Sequence, residues 1–211
     1  MSTKPANPAP FVSEASEATF PEVEPSSRNA PPPSSTGMRG IIDALLQGSL
    51  VELFQAYGVA IAPLPRDARG EAPRYAELSA VIGFSSASDG RNANAAGRLC
   101  LSVPPEVIES MQSDRLPQGR QADWVRELTN QLMGRFKNRL LPYGATLQAG
   151  LPSSVAREVL ETQLAPPGRR VYRARTRRGE VIATLEGNLK ESELSYVGPT
   201  SEASEGELIL F

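Results

Sequence analysis

Histidine is absent from the 211 residues, and Cys100 is the single cysteine. Without imidazole the chain has no ordinary general base near neutral pH and no histidine metal ligand, which excludes Ser-His-Asp and Cys-His hydrolases and the zincins. One thiol excludes an intrachain disulfide and a thiolate zinc cluster. Cys100 stands in the apolar run Leu99-Cys100-Leu101, where a small buried hydrophobe on a strand is expected rather than a nucleophile. Long apolar runs are missing too. Val59-Ala60-Ile61-Ala62 is far short of the roughly 20 residues that cross a bilayer. The opening Pro5-Ala6-Asn7-Pro8-Ala9-Pro10 has no apolar signal-peptide core, so a cytoplasmic location and no membrane contact are expected. Neither sign of charge dominates: 22 basic and 24 acidic residues leave −2, which argues against a general nucleic-acid binder. Any chemistry must rest on carboxylates, amides, hydroxyls, Lys or Arg.

What is present divides unevenly along the chain. Residues 1–37 hold eight prolines, seven serines and five alanines, a composition that cannot bury enough apolar surface to offset its ordering entropy, so a disordered tail is expected. A folded domain is expected over residues 38–194, followed by a flexible acidic tail over 195–211 whose end, Leu208-Ile209-Leu210-Phe211, is free to dock on the domain or on a partner. Within the domain, apolar residues at helical spacing predict a helix over 41–57, with Gly58 as its stop. Strands are expected at 59–62, 78–84 and 98–103. The polar loop 85–97 contains no Gly-Lys-Ser/Thr, which makes a phosphate cradle unexpected. Pro104-Pro105 opens a second helix, and the longest helix runs over 121–141 until Pro142-Tyr143-Gly144 breaks it. A strand at 145–149, a turn at 152–154 and a hairpin of 171–176 with 180–186 complete an α+β domain: an antiparallel or mixed sheet with helices on one face.

The long helix carries the most information. Val125, Leu128, Leu132, Phe136 and Leu140 form one stripe at about 100° per residue and must face the sheet. Asp123, Glu127, Asn130, Gln131, Gly134 and Asn138 fall on the other side. Glu127 and Asn130, three residues apart, are neighbours there. Gly134 lies one turn further along, where a mid-helix glycine costs about 1 kcal/mol relative to alanine; close approach of another backbone, or drift on a solvated face, accounts for it.

The stretch Asp123-Trp-Val-Arg-Glu127-Leu-Thr-Asn130-Gln-Leu-Met-Gly134, with Pro152 about twenty residues on, resembles the signature helix of the CheC/CheX/FliY chemotaxis phosphatases. The order of elements over roughly residues 40–190 is similar to a CheX-like domain, and a single signature helix favours CheX over the two-helix CheC arrangement. The resemblance implies hydrolysis of the aspartyl phosphate of a CheY-like response regulator. Asn130 would hold the attacking water and Glu127 would engage the regulator's active-site lysine, while Asp123, Gln131, Gly134 and Asn138 would belong to the docking face and Pro152 to the structural motif. It implies no cofactor of the chain's own, since Mg²⁺ is expected on the receiver domain, and it makes a homodimer an open option. A non-catalytic CheX-like interaction module in a chemotaxis or motility complex is the alternative.

One further motif stands apart from that helix. Arg169-Arg170-Val-Tyr-Arg173-Ala-Arg175-Thr-Arg177-Arg178 places six arginines in ten residues. Strand alternation puts Arg173 and Arg175 on one side and Tyr172, Ala174 and Thr176 on the other. A solvated face of an edge hairpin is therefore expected, in preference to a nucleic-acid site.

Overall fold

The computed structural model describes residues 40–65, 73–87, 94–111, 118–162 and 169–198. The tail expected over 1–37, residues 88–93 of the loop 85–97 and residues 199–211 lie outside these. The elements run α1 (Ile41–Ala56), β1 (Ile61–Pro63), β2 (Leu78–Ser86), β3 (Ala96–Val103), α2 (Pro105–Ser110), α3 (Gln118–Leu140), β4 (Leu147–Ala149), β5 (Ser153–Ser154), α4 (Arg157–Thr162), β6 (Arg170–Thr176) and β7 (Gly179–Gly187). The strands form one sheet in the order β1-β6-β7-β3-β2-β4, with β5 also on β2. Every pairing is antiparallel.

Alternation along the strands sorts the two faces. Ala80, Ile82 and Phe84 of β2, Leu99, Leu101 and Val103 of β3, and Val181, Ala183 and Leu185 of β7 share one core with the buried faces of α1 and α3. The intervening positions Cys100 and Ile182 join Tyr75 and Leu160 in a second, smaller cluster. Helix α4, which supplies Leu160, is thus associated with the sheet face away from α1 and α3. It escapes sequence reading because six residues with few apolar positions carry no measurable period.

Two places show what sets register. Gly97 and Gly187 face each other across β3 and β7; a Cβ on Gly97 would sit 2.1 Å from the Glu186 carbonyl oxygen, so only glycine admits this approach. At the β2 edge, Phe84 pairs with Ala149 while Val81 pairs with Ser153, leaving two residues of β2 opposite the three of 150–152. One extra residue makes a bulge, and Pro152 occupies it, where a missing N–H removes no ladder bond. The turn expected at 152–154 is corrected by this pairing: Ser153 and Ser154 are strand β5. Two serines have no alternation to read, and the long neighbour β2 recruits them.

Residues 195–197, expected within the C-terminal tail, contact the turn after α3. Ser195 and Val197 donate backbone hydrogen bonds to the carbonyls of Tyr143 (3.3 Å) and Pro142 (2.7 Å), and the Tyr196 ring meets Tyr143 edge-on at 5.8 Å.

Cys100 is buried, as its apolar neighbours implied, and burial pushes its thiol up from 9.0 to about 12. Its thiolate fraction near neutral pH falls by about a thousandfold. Alkylation of the folded chain at pH 8 is therefore expected to be negligible over hours and complete once denaturant is added, as mass spectrometry would read. Labelling without denaturant would contradict this burial.

Candidate functional site

Helix α3 is amphipathic because its core side is uninterrupted. Leu128, Leu132, Met133, Phe136 and Leu140 are fully buried and Val125 nearly so, and each contributes about 1.5–3 kcal/mol of burial. Thr129, buried between them, donates its hydroxyl to the Val125 carbonyl at 2.7 Å, so its own polar group is satisfied. This stripe presses α3 onto β2 and β3, beside α1. The opposite side is thereby committed to the outside.

Asp123, Glu127, Asn130 and Asn138 are exposed on that side, and Gln131 and Gly134 are partly covered. Glu127 and Asn130 are one turn apart, so their Cβ atoms are about 5–6 Å apart and both side chains reach solvent. The Asn130 carboxamide makes no hydrogen bond to another described residue. Glu127 is paired with no cation among the described residues; its Oε1 instead accepts a hydrogen bond from Gln131 Nε2 at 3.0 Å. Gln131 in turn accepts from the Tyr57 hydroxyl at 2.9 Å. Asp123 is held by an ion pair with Arg126, which at this exposure contributes at most about 1 kcal/mol. A Cβ on Gly134 would meet nothing within 4 Å, so the fold itself does not require glycine there. Asn138 lies two turns beyond Asn130, roughly 12 Å along the axis. Pro152 is partly buried in the edge bulge, next to β5, which contacts α3.

Tyr57 is the residue that sequence reading missed. It counted only as the last apolar position of α1, yet it caps that helix, and its ring packs edge-on against Trp124 of α3 at 5.5 Å. No local signal marks it, because its partners are 67 and 74 positions away.

The site has the chemistry of a helix face rather than a pocket: one free carboxamide, one carboxylate with a fixed donor, and open space at a glycine. Among the described residues no group of three or more His, Cys, Asp or Glu is placed to hold a metal ion, and no described helix is long and apolar enough to cross a membrane.

The basic segment reads differently in three dimensions. Arg169 pairs with Glu186, Arg170 with Asp43 (2.9 Å) and Glu191 (2.5 Å), and Arg173 with Glu180. Three of the six guanidinium groups are thus neutralised inside the fold, while Arg175, Arg177 and Arg178 are exposed. The C-terminal half of α3, also rich in basic residues, is partly accounted for by the pairing of Arg139 with Glu52 of α1.

No family model and no curated protein sequence matches the chain; the likeness is in the fold. The chemotaxis protein CheX from Vibrio vulnificus superposes with a TM-score of 0.57 at 16% identity, covering 70% of this chain and 99% of that one. A CheC-like superfamily protein from Shewanella sp. PV-4 gives 0.56 at 16% identity, over 68% and 95%. A chemotaxis protein CheX from Desulfovibrio desulfuricans gives 0.50 at 17% identity, over 70% and 96%. The domain therefore has the fold of CheX and CheC-like proteins.

Proposed function

We propose that this protein accelerates hydrolysis of the aspartyl phosphate on a CheY-like receiver domain, acting through Glu127 and Asn130. The observation that carries the reading is the placement of these two side chains together on the outer face of α3, in a domain with the fold of CheX proteins. An active site without a cleft makes sense where the partner owns most of the reaction chamber. The acyl phosphate is already an activated bond, so positioning and electrostatics suffice. In this reading the Asn130 carboxamide accepts from and donates around one water, holding it in line with the phosphorus. The water oxygen bonds to phosphorus as the bond to the aspartate oxygen breaks, leaving a carboxylate and inorganic phosphate. Glu127 offers its remaining carboxylate lone pairs to the receiver's lysine. The metal is Mg²⁺ carried by the receiver, and the chain contributes no cofactor.

The direct test mixes the full chain with a set of phosphorylated receiver domains and follows phosphate release. Acceleration with at least one of them supports the reading. Binding to phosphorylated receivers with unchanged decay assigns the non-catalytic module instead, and neither binding nor acceleration removes the proposal altogether.

Gly134 separates folding from docking. Gly134→Ala is expected to stabilise α3 by about 1 kcal/mol, because the added methyl meets open space. If the receiver's backbone approaches here, the same substitution weakens association severalfold. A higher urea midpoint with tighter or equal receiver binding would exclude Gly134 from the docking face.

A further inference from the structure

We infer that Tyr57 and Gln131 are positioning residues which hold the Glu127 carboxylate in one orientation for its partner cation; this rests on the function proposed above. An exposed glutamate on a helix has three rotatable bonds and samples several rotamers. Glu127 is not left in that condition. Its Oε1 accepts from Gln131 Nε2 at 3.0 Å, one turn along the same helix, and Gln131 Oε1 accepts from the Tyr57 hydroxyl at 2.9 Å across to α1.

The polarity of this chain is determined by chemistry. Were the Gln131 amide reversed, its carbonyl oxygen would face an acceptor-only carboxylate, so the Nε2 end must point to Glu127. That leaves the carbonyl oxygen to take the tyrosine proton. Tyr57 is itself anchored: it follows α1 as its cap residue, its N–H donates to the Phe54 carbonyl at 3.1 Å, and its ring rests on Trp124 at 5.5 Å with planes at 73°. Rigidity therefore passes from the α1 terminus through one amide to one oxygen of Glu127. Oε2 and the unused lone pair of Oε1 stay available to an incoming ammonium group. Gln131, placed on the docking face by its position in the helix, has both ends of its amide engaged within the chain and is a brace for its neighbour.

Tyr57→Phe removes the hydroxyl and keeps the ring on Trp124, and Gln131→Met keeps the side-chain length without the amide. Each is expected to raise KM for a phosphorylated receiver by about three- to tenfold, with kcat within about twofold because Asn130 is untouched. In a Glu127→Ala background neither should lower kcat/KM further. A KM unchanged by Tyr57→Phe, or a loss that persists in full without Glu127, overturns the brace. A second readout needs no receiver: the Gln131 side-chain amide protons should exchange slowly by NMR in the unaltered chain and faster in Tyr57→Phe. Equal exchange in both also overturns it. Failure of the unaltered chain to accelerate any receiver, with protected Gln131 protons lost in Tyr57→Phe, would sink the proposed function and keep the brace as a feature of the fold.

Discussion

Asn130→Ala is expected to return the decay of a phosphorylated receiver to the rate the receiver shows alone, with the unfolding free energy from urea titration changed by no more than about 0.5–0.7 kcal/mol. Both halves follow from the same fact. Asn130 is exposed and bonded to no other described residue, so the fold loses nothing when its amide is removed. The reaction loses the group that fixes water opposite the leaving carboxylate, and there is no imidazole in the chain to substitute for it. Two companion variants sharpen the test. Asn130→Asp should be as inactive as alanine, because a carboxylate cannot donate and repels the phosphoryl oxygens. Asn130→Gln keeps the amide but displaces it by one methylene, and misplacement of about 1 Å costs on the order of a hundredfold. Retention of full acceleration by Asn130→Ala would assign the water to some other group.

Phe136→Ala should have the opposite signature. Phe136 is among the largest fully buried side chains and lies in the stripe that joins α3 to the sheet. Its truncation is expected to cost about 3–5 kcal/mol, a large part of the roughly 5–15 kcal/mol that holds a domain folded. The urea midpoint would fall by about 2 M. Below the unfolding transition, in the cold, the molecules still folded should keep the Glu127–Asn130 face and any activity it supports. A loss of stability under about 1 kcal/mol would mean that α3 is not seated on the sheet through this stripe.

The helix itself was legible before any coordinates. The 3.6-residue period of Val125, Leu128, Leu132, Phe136 and Leu140 is a local property, so it determined which side is buried and therefore that Glu127 and Asn130 point outward. The same holds in part for the hairpin of β6 and β7. Alternation put Tyr172, Ala174 and Thr176 on the side opposite Arg173 and Arg175, and that side is the buried one. The hairpin is not the sheet edge expected, however, because β1 pairs with β6. The α+β class followed from these periods taken in order.

Contacts between distant segments were not legible, because sequence spacing says nothing about which surface meets which. Strand β5 exists only because β2 is long enough to pair with both β4 and β5 along one edge. Arg169, Arg170 and Arg173 of the basic segment are neutralised by Asp43, Glu180, Glu186 and Glu191, most of them far off in the chain or across a strand. Tyr57 reaches Gln131 over 74 positions. Amphipathic periodicity thus decided which residues face water, whereas only the packing of α1 against α3 decided that one of them, Glu127, is held still there.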